Sequence, residues 1–277
     1  MLALYCQLMS RKRQTLTSPK SLDGSVRVRT YGVTFTQGYV SRAHHHDWDQ
    51  FTYATQGVMT VKTAQGTWVI PPHRAVWIPA GIEHVESMSG PVAARSLFFL
   101  PGMARFLPRE CTAVNVSPLL RELILQTIRI GFLDDRVPSQ SRLIAIILDQ
   151  FEALAQQPLQ LKTPADPRAL RIAGLLEKKP ASSDPLRTLA RHAGASKRTI
   201  ERLFFAETGV SFQQWRQRLR VIHALRLLAA GNSVTSVALD VGYSSTSAFI
   251  AMFRRELGTT PRQIWKQGVA LPRSANL

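Results

Sequence analysis

Two groups of residues have the types and spacing to do chemistry. The first is Gly38-x5-His44-x-His46-x3-Gln50-x6-Gly57, followed by Pro79-x-Gly81-x2-His84. On a strand, His44 and His46 point to one face, because side chains alternate with a period of two. Gln50 and His84 are placed to join them. Neutral imidazoles suit Zn, Fe, Ni or Cu. Three readings stay open: a metal-free small-molecule site, a divalent-metal site, and histidines kept for structural hydrogen bonds. The second group is Lys197, Arg198, Thr199, Glu201 and Arg202, outward on a helix whose inner face is Ile200, Leu203 and Phe204. Arginine can pair with guanine O6 and N7, and glutamate can accept from cytosine N4. That is chemistry for reading base edges.

The reading side chains need a scaffold. From Leu186 the chain runs LRTLARHAGASKRTIERLFFAETGVSF. Asp184 is predicted to cap a helix, with Pro185 in a first turn whose N–H groups have no partner anyway. Leu186, Leu189 and Ala190 form the inner face, and Ala190 is small where a second helix must cross. Gly194 supplies the positive φ of a sharp turn, and Ser196 caps the next helix. This is a helix-turn-helix, a supporting helix followed by a recognition helix. A second copy starts at Val234. Ala190-x3-Gly194 recurs as Ala238-x3-Gly242, offset by 48. Phe204 and Glu207-x-Gly209 recur as Phe253 and Glu256-x-Gly258, offset by 49, so one residue is gained in the second turn. A repeated motif is much harder to obtain by chance than one copy.

Between the copies, Phe212 to Ala230 carries the stripe Trp215, Leu219, Ile222, Leu225 and Leu228, with Arg216, Arg220 and Arg226 expected outside it. Such a helix is roughly 28 Å long, and successive major-groove faces on one side of B-DNA are about 34 Å apart. One chain can therefore read two short elements about a helical turn apart.

Charge agrees. The formal net charge is +17, and residues 168–277 hold 18 of the 35 Lys/Arg but 6 of the 18 Asp/Glu. Such a segment attracts a polyanion by releasing condensed counterions. Cys6 and Cys111 lie far apart without metal-like spacing, so a reducing cytoplasm is expected. No apolar run approaches the ~18 to 20 residues of a membrane span. The N-terminal MLALYCQLMSRKRQ has its charges after its apolar run, the reverse of a secretory signal. Residues 1–20 are read as a disordered leader or an upstream extension of the true start.

Residues 25–100 read as short strands at 26–28, 34–36, 59–62, 67–70, 75–78 and 96–99, punctuated by glycines and prolines including Gly57 and Gly90-Pro91. That pattern suggests a small sandwich or barrel. Trp48, Phe51, Trp68 and Trp77 either line its pocket or are simply core, His45 is expected to face solvent and His73 to sit in a turn. Helical spacing begins near Ser117, with Leu119, Leu120, Leu123, Ile124 and Ile128, and then Leu143, Ile144, Ile147, Leu148, Phe151 and Leu154. Residues 131–138 separate these helices. Their apolar surplus fits either a dimer seam or packing against the barrel. Gln156 to Pro167, with three prolines, is the expected linker.

The segment 168–268 resembles the DNA-binding domain of the AraC/XylS family of bacterial transcription regulators. The matching stretches are FFAETGVSF, RLLAAGNSV, VALDVGYSS and FIAMFRRELGTTPRQ. The resemblance implies base-reading positions at Arg198, Glu201 and Arg202 in the first copy. In the second it implies Thr246, Ser247, Ile250 and Ala251, with Ser245 and Arg254 beside them. Ile250 and Ala251 offer apolar contact only, so the first copy is expected to supply most discrimination. The second would position the protein, with Arg254 and Arg255 near phosphate. The histidine pattern is similar to the cupin barrel found in the sensor half of many such regulators. That family's first motif usually has Glu where Gln50 stands, and Gln is a poorer metal ligand. No cofactor is required on this reading, and a divalent metal is the alternative occupant.

The expected fold is α+β in two domains. A cupin-like β-barrel with two following helices precedes an all-α domain of two helix-turn-helix units joined by a linker helix. Boundaries are a leader at 1–20, a sensing and dimerising domain at 21–157, a linker at 158–167, a DNA-binding domain at 168–268 and a tail at 269–277. The expected function is a cytoplasmic, non-enzymatic, sequence-specific transcription regulator controlled by a small-molecule or metal signal. Its expected partners are double-stranded promoter DNA, the effector, RNA polymerase and a second copy of itself, with no membrane. Two competing classes are a metal-dependent cupin enzyme fused to a DNA anchor, against which Gln50 argues, and an architectural nucleoid protein, against which the repeated recognition units argue.

Overall fold

A computed structural model describes residues 26–72, 74–152 and 160–264. The expected leader at 1–20, Cys6, Gly24, His73, Leu154 and the tail at 269–277 lie outside the described residues. In chain order the strands are β1 Val26–Phe35, β2 Asp49–Thr63, β3 Gly66–Ile70, β4 Arg74–Ile78, β5 Val85–Phe99, β6 Thr112–Asn115, β7 Phe132–Asp134 and β8 Gln160–Lys162. The helices are α1 Pro118–Ile130, α2 Pro138–Glu152, α3 Pro167–Lys178, α4 Leu186–His192, α5 Lys197–Thr208, α6 Phe212–Ala229, α7 Val234–Asp240 and α8 Thr246–Leu257. The chain divides into two compact units, Met1–Thr63 with Ile70–Pro158, and Ala64–Val69 with Leu159–Leu277.

In the first unit the antiparallel order is β6-β4-β2-β5-β1-β7. Alternation along the strands gives the sheet two faces. Val28, Phe51, Tyr53, Trp77, Leu97 and Phe99 pack with Leu120, Ile124, Ile144, Ile147 and Phe151 of α1 and α2 into one core. Phe151 stacks on Phe51 at 4.4 Å between ring centroids. Phe51 and Trp77 are therefore core residues and not pocket lining. The other face carries Gln50, Thr52, Ser96 and Phe98. The sheet curls over that face. Gln50 pairs in register with Phe98, and Glu86 pairs with Val61, yet the Gln50 amide reaches the Glu86 carboxyl at 3.3 Å.

Several expected boundaries shift. The stretches at 26–28 and 34–36 are one strand, running through Gly32, where an added Cβ would sit 3.1 Å from Ile128 Cγ2. Gly57 and Gly90-Pro91 do not end strands. They lie within β2 and β5, whose register slips between Ala54 and Val58. Gly57 has φ +75°, and a Cβ there would meet Pro91 O at 2.2 Å. These are bulge glycines, which let a bulged strand bend and twist more sharply. Residues 132–134, expected as a helix separator, form β7 and pair with β1.

In the second unit, β3 and β8 form an antiparallel pair with Trp68 opposite Gln160. The stretch expected as a linker thus contains a strand. The Trp215 indole N–H of α6 donates to Lys162 O at 2.8 Å, and Glu207 of α5 accepts from the backbone N–H of Ala165 and Asp166. The chain entering α3 is pinned to both helices. Among the described residues the rest is six helices in the expected order.

Candidate nucleic-acid interface and signal site

The two helix-turn-helix copies are built by the same local chemistry. After α4, Gly194 N–H donates to Arg191 O and Ala195 N–H to Ala190 O. After α7, Gly242 N–H donates to Leu239 O and Tyr243 N–H to Ala238 O. Both are Schellman closures, which need a glycine at positive φ; the two glycines have φ +73° and +85°. Ser196 Oγ then accepts from Thr199 N–H at 3.1 Å, and Ser245 Oγ from Ala248 N–H at 3.2 Å, so each recognition helix starts on a serine cap. Four residues (193–196) separate the helices of the first copy and five (241–245) those of the second. That is the residue gained in the repeat.

Packing aims the outer faces. In α5, Ile200 and Phe204 are fully buried, and Phe204 meets Phe212 and Trp215 edge-on at 5.1 and 5.2 Å. In α8, Phe249 and Phe253 do the same work. Lys197, Arg198, Glu201 and Arg202 are consequently exposed, as are Ser247, Ala251, Arg254 and Arg255. Lys197 and Glu201 are 3.6 Å apart with both side chains in solvent, a pair too weak to withhold either from DNA. Thr199 is half-buried, with its hydroxyl 2.9 Å from the capping Ser196 hydroxyl. Ser245 is the cap of α8, and Thr246 and Ile250 are half-buried. Lys197, Arg198, Glu201 and Arg202 share one face and Ser247, Ala251 and Arg254 another, so the polar character is concentrated on α5.

Two expectations are corrected. Asp184 does not cap α4. The cap is Pro185, without a side-chain hydrogen bond, and the Asp184 carboxylate accepts from the Ser182 hydroxyl. Nor do Arg216 and Arg220 stand free on α6. Arg216 donates to Asp184 O and Ser182 O, and Arg220 to Pro180 O and Ser182 O. They satisfy loop carbonyls between α3 and α4 that have no other helix to bond. Arg226 is half-buried, and burial lowers its proton affinity.

In the first unit, residues 41–48 are not a regular strand. An isolated bridge between His44 and His84 brings the histidines together instead. The ring centroids of His44, His46 and His84 lie 4.3 to 5.3 Å apart, and one ligand atom from each falls within 4.8 Å of the others. His45 is exposed, as expected. Arg42 O lies 2.8 Å from His44 Nδ1, and Ile82 O lies 2.9 Å from His84 Nδ1. A carbonyl only accepts, so each Nδ1 carries a proton. Burial, with help from neighbouring histidines, pushes His46 down to about 3 and His84 down to about 4. Both rings are neutral at pH 7. His84 Nε2, His46 Nδ1 and Gln50 Oε1 are buried with no hydrogen-bond partner. Unpartnered buried polar atoms are costly unless something occupies the site.

Two contributors were not singled out from the sequence. Glu86 is 8% exposed and accepts from the Gln50 amide, and burial raises its carboxyl above the usual range. Its place two residues after His84, at the start of β5, was the available signal. Phe98 meets the His46 ring edge-on at 5.2 Å. Phe205, 65% exposed on α5 one turn beyond Glu201, was also passed over as the second residue of a Phe-Phe pair. Of the aromatics expected as pocket lining or core, Trp48 lies under the Arg29 guanidinium at 4.3 Å, and Trp68 is fully buried in β3.

An AraC-like ligand binding domain is matched over residues 28–170, and a helix-turn-helix domain over residues 189–267. The chain belongs to the AraC family of transcription regulators. It is 36% identical over 241 residues to the HTH-type transcriptional regulator NimR of Escherichia coli, covering 87% of this chain and 88% of that one. It is 41% identical over 98 residues to the HTH-type transcriptional regulator RipA of Corynebacterium glutamicum, covering 35% of this chain and 30% of that one. Among solved structures it is similar to the DNA-binding domain of AdpA in complex with a target DNA, at 34% identity over 36% of this chain and 91% of that one, with a TM-score of 0.34. As an AraC-family protein it joins a ligand-binding unit, which holds the histidine cluster, to a DNA-binding unit with two recognition helices. Among the described residues no helix is long and apolar enough to cross a membrane.

Proposed function

We propose that this AraC-family regulator reads promoter DNA chiefly through Arg198, Glu201 and Arg202 of α5, while α8 sets position through Ser247 and Arg254. The observation that carries this is the unequal chemistry of two equally built helices. α5 exposes Arg198, Glu201 and Arg202 along one face, whereas α8 exposes Ser247, Ala251 and Arg254 with Ile250 half-buried between them. The linker helix of 18 residues is about 27 Å long, which suits elements one helical turn apart. Hydroxyl-radical footprinting tests it. Two protected patches on one face of the duplex, about ten base pairs apart, are expected. A single patch refutes the two-helix engagement.

The signal is proposed to bind at His44, His46, Gln50 and His84 and to act without catalysis, in the cytoplasm. A second reading, a divalent metal there, is favoured by the two Nδ1–H groups held on backbone carbonyls. Metal-bound histidines almost always donate the other ring N–H in this way. The side chains fit such an ion: three imidazoles, of which His46 and His84 are neutral, and one unpartnered amide oxygen converge. A bound ion would draw the three rings together and offer an attachment point to an oxygen- or nitrogen-bearing effector.

The protein is further proposed to act as a homodimer on RNA polymerase at the promoter. Leu119 and Ile146, 54% and 44% exposed on α1 and α2, support a seam through those helices. Ile146→Glu should shift the sedimentation profile toward monomer without lowering the melting temperature. An unshifted profile puts the seam elsewhere.

A further inference from the structure

Gln50 is 4% exposed, and its amide is held on both sides. Nε2 donates to Thr52 Oγ1 at 2.6 Å and to Glu86 Oε1 at 3.3 Å. Thr52 Oγ1 is in turn 2.9 Å from Ser96 Oγ. Both amide protons are thereby used, and Oε1 is left buried without a partner, beside the His46 ring. A terminal amide has broad, roughly two-fold torsional freedom, so its two ends are distinguished only by what they bond. Turned the other way, the amide would present N–H protons to the imidazoles. A cation in that position would be repelled. A carboxylate at position 50 could not donate to Glu86 at all, and would bury a second acid against it.

We infer that Glu86 is the positioning residue that turns Gln50 Oε1 toward a divalent first-row ion held with His44, His46 and His84. The inference rests on the metal reading of the cluster. The carboxyl that the cupin pattern places at position 50 is moved to the start of β5, where it orients an amide. Imidazole and amide donors together select the later first-row ions over Mg2+ or Ca2+.

The test uses full-length, metal-stripped protein titrated with Co2+ alone and followed by visible absorption, with each variant's melting curve recorded. Wild type should bind one equivalent, undisturbed by excess Mg2+. Glu86→Leu, which removes the acceptor, should weaken Co2+ binding about tenfold, in the range for loss of an outer partner of a ligand. Glu86→Gln keeps a carbonyl acceptor and should stay within about threefold. Because Glu86 acts through Gln50, adding Glu86→Leu to Gln50→Leu should cost nothing further, a full non-additivity that a merely structural role would not give. If Glu86→Leu fails to melt cooperatively, the exchanged pair Gln50→Glu with Glu86→Gln decides. It restores the bond in reverse and should bind at least as tightly as wild type. Wild type without Co2+ binding overturns the metal reading and the inference with it. Wild-type binding overturns the role of Glu86 alone if Glu86→Leu leaves affinity unchanged, if it costs as much without Gln50, if Glu86→Gln is as weak as Glu86→Leu, or if the exchanged pair loses binding.

Discussion

Arg202→Ala separates base reading from folding. Arg202 is exposed on α5, and no ion pair or side-chain hydrogen bond involves it among the described residues. Surface changes of that kind move stability by about 0.5 kcal/mol or less. A bidentate arginine–guanine pair discriminates by about 1–3 kcal/mol, or about 5- to 150-fold in affinity. The melting curve should therefore be unchanged while binding to the cognate site falls by that factor. Anisotropy titrations at fixed salt, on the cognate duplex and on duplexes changed one base pair at a time, give the readout. Wild type should distinguish one base pair that the variant no longer distinguishes. Equal loss on every duplex would make Arg202 a phosphate contact and refute its role as a base reader.

Other perturbations follow from the same geometry. Gly194→Ala meets no atom within 4 Å and pays only for its φ of +73°, about 1–2 kcal/mol. Gly242→Ala adds a Cβ 2.7 Å from Ala181 O and should cost more; equal shifts in denaturant midpoint would refute the close approach. Gly57→Ala should destabilise the first unit by more than about 1–2 kcal/mol, since a left-handed φ and a 2.2 Å contact with Pro91 O coincide; a wild-type midpoint would contradict the bulge. Burial, and then Arg226, push His223 of α6 down to about 4. The unfolded ring, at about 6.5, takes up protons first. The stability this ring confers is complete above pH 6.5 and is lost as pH falls toward 4, by at most about 1.4 kcal/mol per unit, less for its partial exposure. His223→Gln should flatten that slope; an identical slope in the variant would assign the loss to other groups.

The DNA-binding unit was largely legible because its determinants are local. Serine caps, positive-φ glycines and 3.6-residue periodicity act within one or two turns, and the 48/49 offset survives as a four- and a five-residue turn. What was not legible depended on distant partners. Arg216 and Arg220 carry the outward pattern of solvated arginines, yet loop carbonyls at 180, 182 and 184 claim them. Asp184 has the composition of a cap, but its carboxylate is engaged with Ser182. Gly57 and Gly90 look like turn punctuation, and only the register of two fifteen-residue strands shows them to be bulges. In the candidate signal site the four residues His44, His46, Gln50 and His84 do converge. Glu86 was hidden because its contact with Gln50 needs the sheet to curl, a property of the whole array of strands.

The central claim is that one chain reads two short DNA elements, mostly through α5. Selection of bound sequences from a random duplex pool by purified full-length protein, at a stated near-physiological salt and with and without Co2+, tests it most directly. The account predicts one motif of two elements about a helical turn apart, and Arg202→Ala should erase information from one of them. A motif with a single element, or selection without any motif under both conditions, would contradict it.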